Sequence, residues 1–292
     1  MAENYVLFTD SACDIHPDKL AEWNVKMLPL AFLFTDTGRE QKDHEEPIDE
    51  FYKSMRAGRV AKTSCVNEDA FENAFTEILE AGQDILYLGL SGGLSVTPDN
   101  AKKVAERLAK KYPDRKIKAI DSLSASAGEG LFVYLAVKNR DAGMTLEENA
   151  EALEKEIQHV CHWFTVEDLK YLKRGGRISG AAAAVGTMLD LKPIIIEASD
   201  GTLQAGEKIR GRKKALAYIV DAMLKAEPDP AESPILILNA DAEEDAERVR
   251  ANIEQKLPGA NVLIEHVGPV IGAHAGPGTV ALCFIGKENR KP

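Results

Sequence analysis

The sequence lacks a disulfide framework, a long apolar run and an excess of positive charge. Its four cysteines, Cys13, Cys65, Cys161 and Cys283, lie far apart and form no C-x-x-C pair, which predicts reduced thiols in a cytoplasmic protein. No run of about 18 apolar residues is present, and no basic region precedes an apolar stretch at the N-terminus, so neither a membrane span nor a secretory signal is predicted. The net charge of −11 argues against a general nucleic-acid binder, because counterion release requires a basic face.

Familiar catalytic and metal-binding motifs are absent as well. The sequence has no G-x-S-x-G elbow, no P-loop and no G-x-G-x-x-G after the first predicted strand. His159 and His162 flank Cys161, but no second group of ligands follows, so no metal site is predicted. Ser95 and His274 could still meet in space, and they form the alternative hypothesis of a hydroxyl-nucleophile hydrolase or acyltransferase.

The composition is that of an ordinary globular chain. Its 292 residues, of which 45% are hydrophobic and 28% charged, supply enough apolar side chain to offset the entropy of folding, and the length favours two domains. Helical spacing of apolar residues predicts helices at 68–82 and 99–114. Continuous apolar runs predict buried strands at 5–11, 27–34, 84–91 and 116–122. This alternation predicts βαβ units and a mostly parallel sheet with helices on both faces.

After a predicted helix at 145–158 the pattern changes. An Ala/Gly-rich segment at 180–186 leads into predicted helices at 215–227 and up to Leu257. Further strands are predicted at 193–198, 202–209, 234–240, 260–268 and 279–286. We therefore predict an α/β fold of two domains, with an N-terminal domain over 1–160 and a smaller α/β domain over 161–292, whose sheet is smaller and mixed.

Hydroxyl side chains follow the predicted strands, where ligands bind in open parallel sheets. They occur in four groups, which are Thr9-Asp10-Ser11, Lys62-Thr63-Ser64 in a loop, Ser91 to Thr97, and Asp121-Ser122. One such group alone is typical of a helix cap, but four groups at one sheet edge would offer several neutral donors to an oxygen-rich anion. We predict a site for a carboxylate or phosphate, held by hydroxyls and backbone amides.

Two basic clusters and a glycine-rich segment lie in the second half. Arg174 and Arg177 flank a Gly pair, and 208–214 contains five basic residues. In so acidic a chain, these clusters predict a site for an anion or an acidic partner, with a solvated helix face as the alternative for the second. The segment GPVIGAHAGPG at 268–278 predicts a rigid, close-packed loop that presents His274.

In this order and spacing, these motifs resemble the DegV family. The residues that carry the resemblance are TDS at 9–11, KTS at 62–64, LS at 94–95, DS at 121–122, YLKRGGRIS at 171–179 and GAHAGPG at 272–278. The resemblance implies a two-domain α/β fatty-acid-binding protein, which in several bacteria is the binding subunit of a fatty-acid kinase and presents the acyl chain for phosphorylation. It implies a bound palmitate-, stearate- or oleate-like ligand, no catalytic residue and no cofactor of its own, because the kinase subunit carries the ATP.

The resemblance also assigns roles to residues of this chain. Thr63 and Ser95 are expected to hydrogen-bond the carboxylate, and His274 to join that network. The full set of expected ligand contacts is Thr63, Ser64, Ser95, Thr97, Ser122, Arg177, Gly272, His274 and Gly276. Arg174, Arg210 and Arg212 are expected to face the kinase. The second domain is expected to form the acyl-chain pocket, with space for the tail left by small residues at 180–189 beside Met188 and Leu189.

The chain departs from the family pattern at two motifs. After Thr63-Ser64 it has Cys65-Val66-Asn67 where the family usually has Q-P-S. In the motif S-S-x-L-S-G-T-Y, this chain has Gly92 in place of the second serine and Pro98 in place of the tyrosine. These changes leave Ser95 in place and bear on the shape of its loop.

Overall fold

The computed structural model describes residues 5–178, 191–228 and 233–290. These residues contain thirteen strands, which are β1 Tyr5–Asp10, β2 Val25–Leu28, β3 Ala31–Phe34, β4 Glu40–Lys42, β5 Ala61–Ser64, β6 Asp84–Gly89, β7 Ile117–Asp121, β8 Val160–Thr165, β9 Leu191–Glu197, β10 Leu203–Arg210, β11 Ile235–Asn239, β12 Val262–His266 and β13 Val280–Ile285. The same residues form ten α-helices, which are α1 Pro17–Glu22, α2 Ile48–Arg56, α3 Glu68–Glu80, α4 Thr97–Lys111, α5 Ala127–Asp141, α6 Leu146–Glu156, α7 Lys170–Arg174, α8 Arg212–Lys225, α9 Glu243–Lys256 and α10 Pro269–Ala275. The tail space predicted at 180–189 lies outside the described residues.

Strands of the first half form the predicted parallel sheet. β2, β1, β6 and β7 lie side by side in that order, and each pairs in parallel with its neighbour. The helix pairs α3 with α4 and α5 with α6 pack against this sheet. Because parallel strands are joined by crossover helices that cover the sheet, this arrangement confirms the predicted α/β class.

The predicted strand at 27–34 is wrong, because the chain forms two strands there. β2 ends at Leu28 and belongs to the parallel sheet, whereas β3 begins at Ala31 and lies at the centre of a separate antiparallel sheet, between β4 and β5. Pro29 lies between them and has no N–H to donate to a strand ladder. The same small sheet contains Thr63 and Ser64 on β5, so the prediction that they lie in a loop is also wrong.

The second half forms a mixed sheet of six strands in the order β10, β9, β8, β13, β11 and β12. Only the pair β11 and β12 is parallel among the described strands of this sheet. The mixed character agrees with the prediction, but the expectation of a smaller sheet is wrong, because the described mixed sheet has six strands and the parallel sheet has four. The predicted domain boundary falls at the start of β8, which pairs with both β9 and β13. One hydrophobic cluster includes Leu86 of the first sheet and Leu236 of the second, and the division into domains at 160–161 stays a prediction.

Helix α5 lies between the two sheets and was absent from the sequence predictions. It contacts β1 and β6 of the parallel sheet and β8, β11 and β13 of the mixed sheet. Its residues from Ala127 to Val133 are all buried. A helix buried on all sides has no polar face, so its sequence lacks the apolar stripe by which helices are recognised.

Candidate functional site

A cavity of about 500 Å³ lies among residues of both halves of the chain. Its walls are largely apolar and include Leu90 after β6, Phe164 on β8 and Ala281 on β13. Binding sites for small molecules typically have volumes of about 300–1,000 Å³ and combine apolar walls with a few polar groups. This cavity has both properties.

Five of the predicted ligand contacts line this one cavity, and these are Thr63, Ser64, Ser95, Arg177 and His274. We call Thr63, Ser95, Arg177 and His274 the head cluster. They come from four different parts of the chain: β5, the turn after β6, the segment after α7, and α10. The sequence prediction that widely separated motifs form one site is therefore consistent with their positions.

The head cluster is organised around a contact between Thr63 and His274. Thr63 Oγ1 lies 2.8 Å from His274 Nε2. β5 places Thr63 opposite Phe32 of β3, and His274 lies in the last turn of α10. A small antiparallel sheet and a short helix thus bring together two residues that are 211 positions apart.

Helix α10 occupies the segment that was predicted to be a loop, so that prediction is wrong. Pro269 starts the helix, where a missing N–H is tolerated, and Gly276 ends it with a φ of +83°. Gly272 is packed so closely against Tyr52 that a Cβ there would overlap the phenol ring. A Cβ at Gly276 would likewise overlap Tyr171, so both glycines position His274 by allowing close packing, and neither lines the cavity.

Burial and the positive charges of Arg177 and Arg174 lower the pKa of His274 to about 4. The imidazole is therefore neutral near pH 7 and has one donor and one acceptor nitrogen. Its Nδ1 is buried without a hydrogen-bond partner among the described residues. Gly175 lies directly against this nitrogen, and a side chain there would overlap the ring.

Arg177 carries positive charge on the cavity wall. Its Nε and one terminal nitrogen donate to the carbonyl oxygen of Leu94, at 3.1 and 2.9 Å, and the other donates to the carbonyl oxygen of Gly175 at 2.6 Å. No carboxylate of the described residues pairs with it, and burial lowers the pKa of this guanidinium from its ordinary value. A charged group fixed by carbonyls and left without a counter-charge favours an anion in the cavity.

Ser95 lies in the turn from Ser91 to Val96, and it also supports the start of α4. Its Oγ is 2.9 Å from the hydroxyl oxygen of Thr97 and accepts from the Thr97 backbone N–H at 3.2 Å. Thr97 is fully buried and does not line the cavity. Val96 is the N-cap residue of α4 and makes no side-chain cap bond, so Ser95 is not the cap, although it bonds the first N–H of the helix and also lines the cavity.

The structure explains why Gly92, which departs from the family pattern, is a glycine. Its N–H donates to both carboxylate oxygens of Asp121, each at 3.1 Å. A Cβ at Gly92 would lie 2.5 Å from Asp121 Oδ2, and one at Gly93 would lie 2.8 Å from the backbone of Gly201. Close packing therefore favours glycine at both positions, and the turn keeps Ser95 at the cavity.

Two other hydroxyls have different roles. Ser122 is buried away from the cavity, where its Oγ donates to the carbonyl oxygen of Gly89 at 2.7 Å and accepts from the Ser124 N–H at 3.1 Å. Ser64 lies at the exposed rim, and its hydroxyl donates to Glu40 Oε2 at 3.2 Å. Ser122 therefore stabilises the turn after β7, whereas Ser64 lines the cavity with its hydroxyl bonded to Glu40.

The three arginines that were predicted to face a partner differ in their surroundings. Arg210 is exposed at the end of β10. Arg174 places its guanidinium 5.2 Å from the centre of the Tyr171 ring. Arg212 is held by Asp245 at 2.7 Å and by the carbonyl oxygen of Gly278 at 2.6 Å. A partner-facing role for them stays a prediction.

A cluster of buried carboxyl groups, which sequence reasoning missed, lies beneath the site. We call Asp10, Asp14, Asp43 and Glu129 the carboxyl cluster. Burial raises the pKa of Asp10 to about 6 and that of Asp43 to about 7, and it raises the pKa values of Asp14 and Glu129 well above the ordinary range. Asp10 was noticed only as part of a hydroxyl motif, since nothing in the sequence indicates that these four carboxyls meet.

The carboxyl cluster supports α10 and one wall of the cavity. Asp14 accepts from the Gly268 N–H at 2.9 Å, and Asp43 accepts from the Val270 N–H at 3.2 Å. The Ser126 hydroxyl, on the cavity wall, donates to Asp14 at 2.5 Å. Ser126 has a φ of +57°, an uncommon value for a residue with a side chain, so these contacts hold a strained residue in place.

The structure does not join Ser95 to His274 as a nucleophile and base. The hydroxyl of Ser95 is bonded to Thr97, and the imidazole of His274 is bonded to Thr63. A histidine whose pKa is lowered to about 4 is also a weak general base near neutral pH. The geometry therefore favours binding over acyl transfer.

Other classes of site find no support in the described part of the chain. It contains no group of three or more His, Cys, Asp or Glu side chains able to hold a metal ion, and none of its helices is both long and apolar enough to cross a bilayer. All four cysteines are free, and Cys13, Cys161 and Cys283 are buried as expected of small core residues, whereas Cys65 is exposed.

Comparisons with known proteins give a consistent set of similarities. A family model described as "Uncharacterised protein, DegV family" matches residues 4–287. The chain is 38% identical over 291 residues to a DegV domain-containing protein of Clostridium perfringens, covering 99% of this chain and 100% of that protein.

Solved structures are similar over nearly the whole chain. A Thermus thermophilus structure described as "Fatty Acid Binding of a DegV family Protein" has a TM-score of 0.85 and 31% identity, covering 97% of this chain and 99% of that one. A stearic-acid-binding protein of Eubacterium ventriosum has a TM-score of 0.84 and 26% identity, covering 97% of this chain and 98% of that one.

Proposed function

The chain belongs to the DegV family, and on that premise we propose that it binds a long-chain fatty acid in the cavity. The observation that carries the proposal is one cavity whose lining combines apolar side chains with the head cluster. The similar proteins from Thermus and Eubacterium are described as binding a fatty acid and stearic acid, which supports the same ligand class here.

In this proposal the head cluster binds the carboxylate. When the neutral His274 carries its hydrogen on Nε2, it donates to Thr63 Oγ1, and the Thr63 hydroxyl hydrogen is then free to donate to the ligand. Ser95 offers a second hydroxyl, and Arg177 supplies a positive charge with no carboxylate partner among the described residues. These groups replace the water that a carboxylate loses on entering the cavity.

The apolar wall binds the hydrocarbon. Each buried methylene contributes about 0.8 kcal/mol, so a chain of roughly sixteen carbons gains on the order of 10 kcal/mol before the entropy of ordering is subtracted. Phe164, Leu203 and Ala281 are among the residues that supply this surface.

We further propose that the protein presents the bound carboxylate to a separate fatty-acid kinase in the cytoplasm. A carboxylate oxygen would attack the γ-phosphorus of ATP on the kinase, forming an acyl phosphate and releasing ADP. The head cluster is near the rim of the cavity, where Ser64 and Val96 are exposed, and this position supports access by a partner. The chain itself then acts as a carrier without catalytic residues.

The first test is the ligand itself. Protein purified from a heterologous host should release a long-chain fatty acid on organic extraction, identified by mass spectrometry, and the delipidated protein should rebind stearate with a higher melting temperature. Preparations that are repeatedly free of lipid and gain no melting temperature with palmitate, stearate or oleate would overturn the proposal.

The second test concerns the kinase. The protein is combined with a fatty-acid kinase subunit, ATP and stearate, and acyl phosphate is trapped with hydroxylamine as the hydroxamate. Product should form only when all four components are present. Equal product without this protein would show that it does not present the substrate, while leaving fatty-acid binding unaffected.

A further inference from the structure

His162, on β8, is a polar side chain of the cavity wall that does not belong to the head cluster. It lies opposite Cys283 of β13, and two residues along the strand Phe164 lies opposite Ala281. His162, Phe164 and Ala281 all line the cavity, as expected for side chains on one face of a sheet. Thr279 follows α10, the helix that carries His274, and Cys283 lies opposite His162. Four residue steps separate Thr279 from Cys283, which corresponds to about 13 Å of extended chain. A fatty acid with its carboxylate at the head cluster would therefore pass His162 with the middle or far part of its chain.

The hydrogen-bonding capacity of His162 is unused. Among the described residues, neither ring nitrogen has a hydrogen-bond partner, and Nδ1 is buried. Nδ1 faces Glu197 Oε2 at 3.9 Å, beyond hydrogen-bond distance, and that oxygen accepts from Arg290 at 2.8 Å. Nε2 is thus the nitrogen available to a ligand.

The ring is also electrically neutral. Burial and the nearby positive charge of Arg290 lower the pKa of His162 to about 3. A neutral imidazole can accept a hydrogen bond at one nitrogen and donate one at the other, and so it fits an uncharged hydroxyl. The carboxylate, by contrast, is matched by Arg177 at the other end of the cavity.

A plain hydrocarbon tail would leave Nε2 of His162 without a partner, and an unpartnered polar group in a buried site is unfavourable. We propose that His162 makes the cavity selective for a long-chain fatty acid that carries a hydroxyl group in the middle or far part of its chain. The hydroxyl forms a hydrogen bond with Nε2. This inference rests on the proposed function, because it needs the carboxylate at the head cluster.

The test compares ligands of equal length on the unaltered protein. Delipidated protein is titrated with stearate and with monohydroxystearates that carry the hydroxyl beside the carboxylate, at mid-chain or towards the methyl end. One of the mid-chain or far-chain hydroxystearates should bind about fivefold to tenfold more tightly than stearate, as expected for one additional hydrogen bond. The ligand with its hydroxyl beside the carboxylate should show no such preference.

Two variants test whether His162 causes the preference for a hydroxystearate. His162→Phe should reverse the preference in favour of stearate, whereas Trp163→Phe, on the opposite face of β8 and outside the cavity lining, should keep it. The inference is overturned if stearate binds the unaltered protein as tightly as every hydroxystearate, or if His162→Phe retains the preference. Failure of stearate and all hydroxystearates to bind would instead overturn the proposed function itself.

Discussion

The two ends of α10 hold ionisable groups in different situations. At its start, Asp14 and Asp43 of the carboxyl cluster accept hydrogen bonds from the backbone of Gly268 and Val270. At its end, His274 contacts Thr63 and faces the cavity. Burial favours the neutral form at both ends, since it raises the pKa values of the carboxyls and lowers that of the imidazole.

The difference lies in where the hydrogen bonds go. Both oxygens of Asp14 are bonded within the protein, to the Ser126 hydroxyl and the Gly268 N–H, so this carboxyl has a structural role. Arg177 is bonded to carbonyls and keeps a positive charge without a carboxylate partner among the described residues. Asp14 thus uses both of its oxygens within the protein, whereas Arg177 keeps a positive charge that no described carboxylate neutralises, and this difference favours a structural role for Asp14 and a ligand-binding role for Arg177.

The largest expected effect concerns the carboxyl cluster. Burial raises the pKa of Asp43 in the folded protein to about 7, so the stability associated with its protonated form is present below its unfolded pKa of about 4 and is lost as the pH rises through 7. Asp43→Asn removes this titration while keeping an acceptor for the Val270 N–H. Between pH 5 and pH 8 the variant should gain on the order of 3 kcal/mol in free energy of unfolding relative to the unaltered protein.

Urea denaturation at several pH values measures this difference. The matched control is Asp36→Asn, because hydrogen bonding to Arg59 lowers the pKa of this exposed carboxyl and it therefore titrates below the window. His162 and His274 act in the opposite direction, since their lowered pKa values destabilise the folded state as the pH falls below about 6.5. A parallel pH profile for Asp43→Asn and the unaltered protein would show that Asp43 does not titrate as described.

The next effect concerns the charge in the head cluster. Arg177→Met should weaken stearate binding about 10- to 100-fold, since hydrogen bonds and attraction to a charged group contribute about 1.5–3 kcal/mol. Binding of stearyl alcohol, which has no charge, should change far less. Isothermal titration calorimetry measures both affinities, and Arg107→Gln, on the exposed surface of α4 where it bonds Glu68 and Glu72, is the control. An equal loss for both ligands would mean that Arg177 only shapes the cavity.

The parts of this structure that the sequence predicts are those with a local signal. The strands of the parallel sheet are continuous apolar runs and its helices α3 and α4 have helical spacing of apolar residues, and the hydroxyl groups in the chain pointed to Thr63 and Ser95. Helix α5 was missed because it is buried by sheets on both sides, and β8 was missed because apolar and polar residues are buried on both of its faces. A periodic pattern of apolar and polar residues arises where one face of an element contacts the core and the other contacts water. Elements that are buried on both faces lack this pattern.

The carboxyl cluster and the role of His162 were missed for a different reason. Asp14, Asp43 and Glu129 approach one another only after β1, the small antiparallel sheet and α5 have packed, so no spacing in the chain reveals them. In contrast, both the glycine-rich segment and the resemblance to the DegV family pointed to His274, which lines the cavity, although the chain alone indicated a loop where α10 forms. Long-range packing, not local preference, decides such features.

A smaller effect should distinguish Thr63 from Ser122, which were both predicted to contact the ligand. Thr63→Val keeps the shape of the side chain and removes its hydroxyl, so stearate binding should weaken about fivefold to tenfold, the value of one hydrogen bond. Ser122→Ala should leave the stearate affinity unchanged and lower the free energy of unfolding by about 1 kcal/mol, since its Oγ is bonded to the backbone away from the cavity. Affinities from calorimetry and unfolding in urea distinguish the two, and a loss of affinity in Ser122→Ala would place that serine in the site after all.

The smallest expected effect is the contribution of His274 to the pH dependence of stearate binding. Because the pKa of His274 is lowered to about 4, the imidazole stays neutral from pH 6 to pH 8. Replacing it by Gln should therefore change the ratio of the stearate affinities at pH 6 and pH 8 by less than about twofold, whatever Asp10 and Asp43, with pKa values of about 6 and about 7, contribute in this range. A histidine with its ordinary pKa of about 6.5 would gain positive charge as the pH falls and would bind a carboxylate more tightly at pH 6. Titrations of the delipidated protein and of His274→Gln at three pH values check this. A gain in affinity at pH 6 that His274→Gln abolishes would contradict a neutral His274 and would remove the contrast between the two ends of α10, whereas a gain that persists in the variant belongs to the carboxyl cluster.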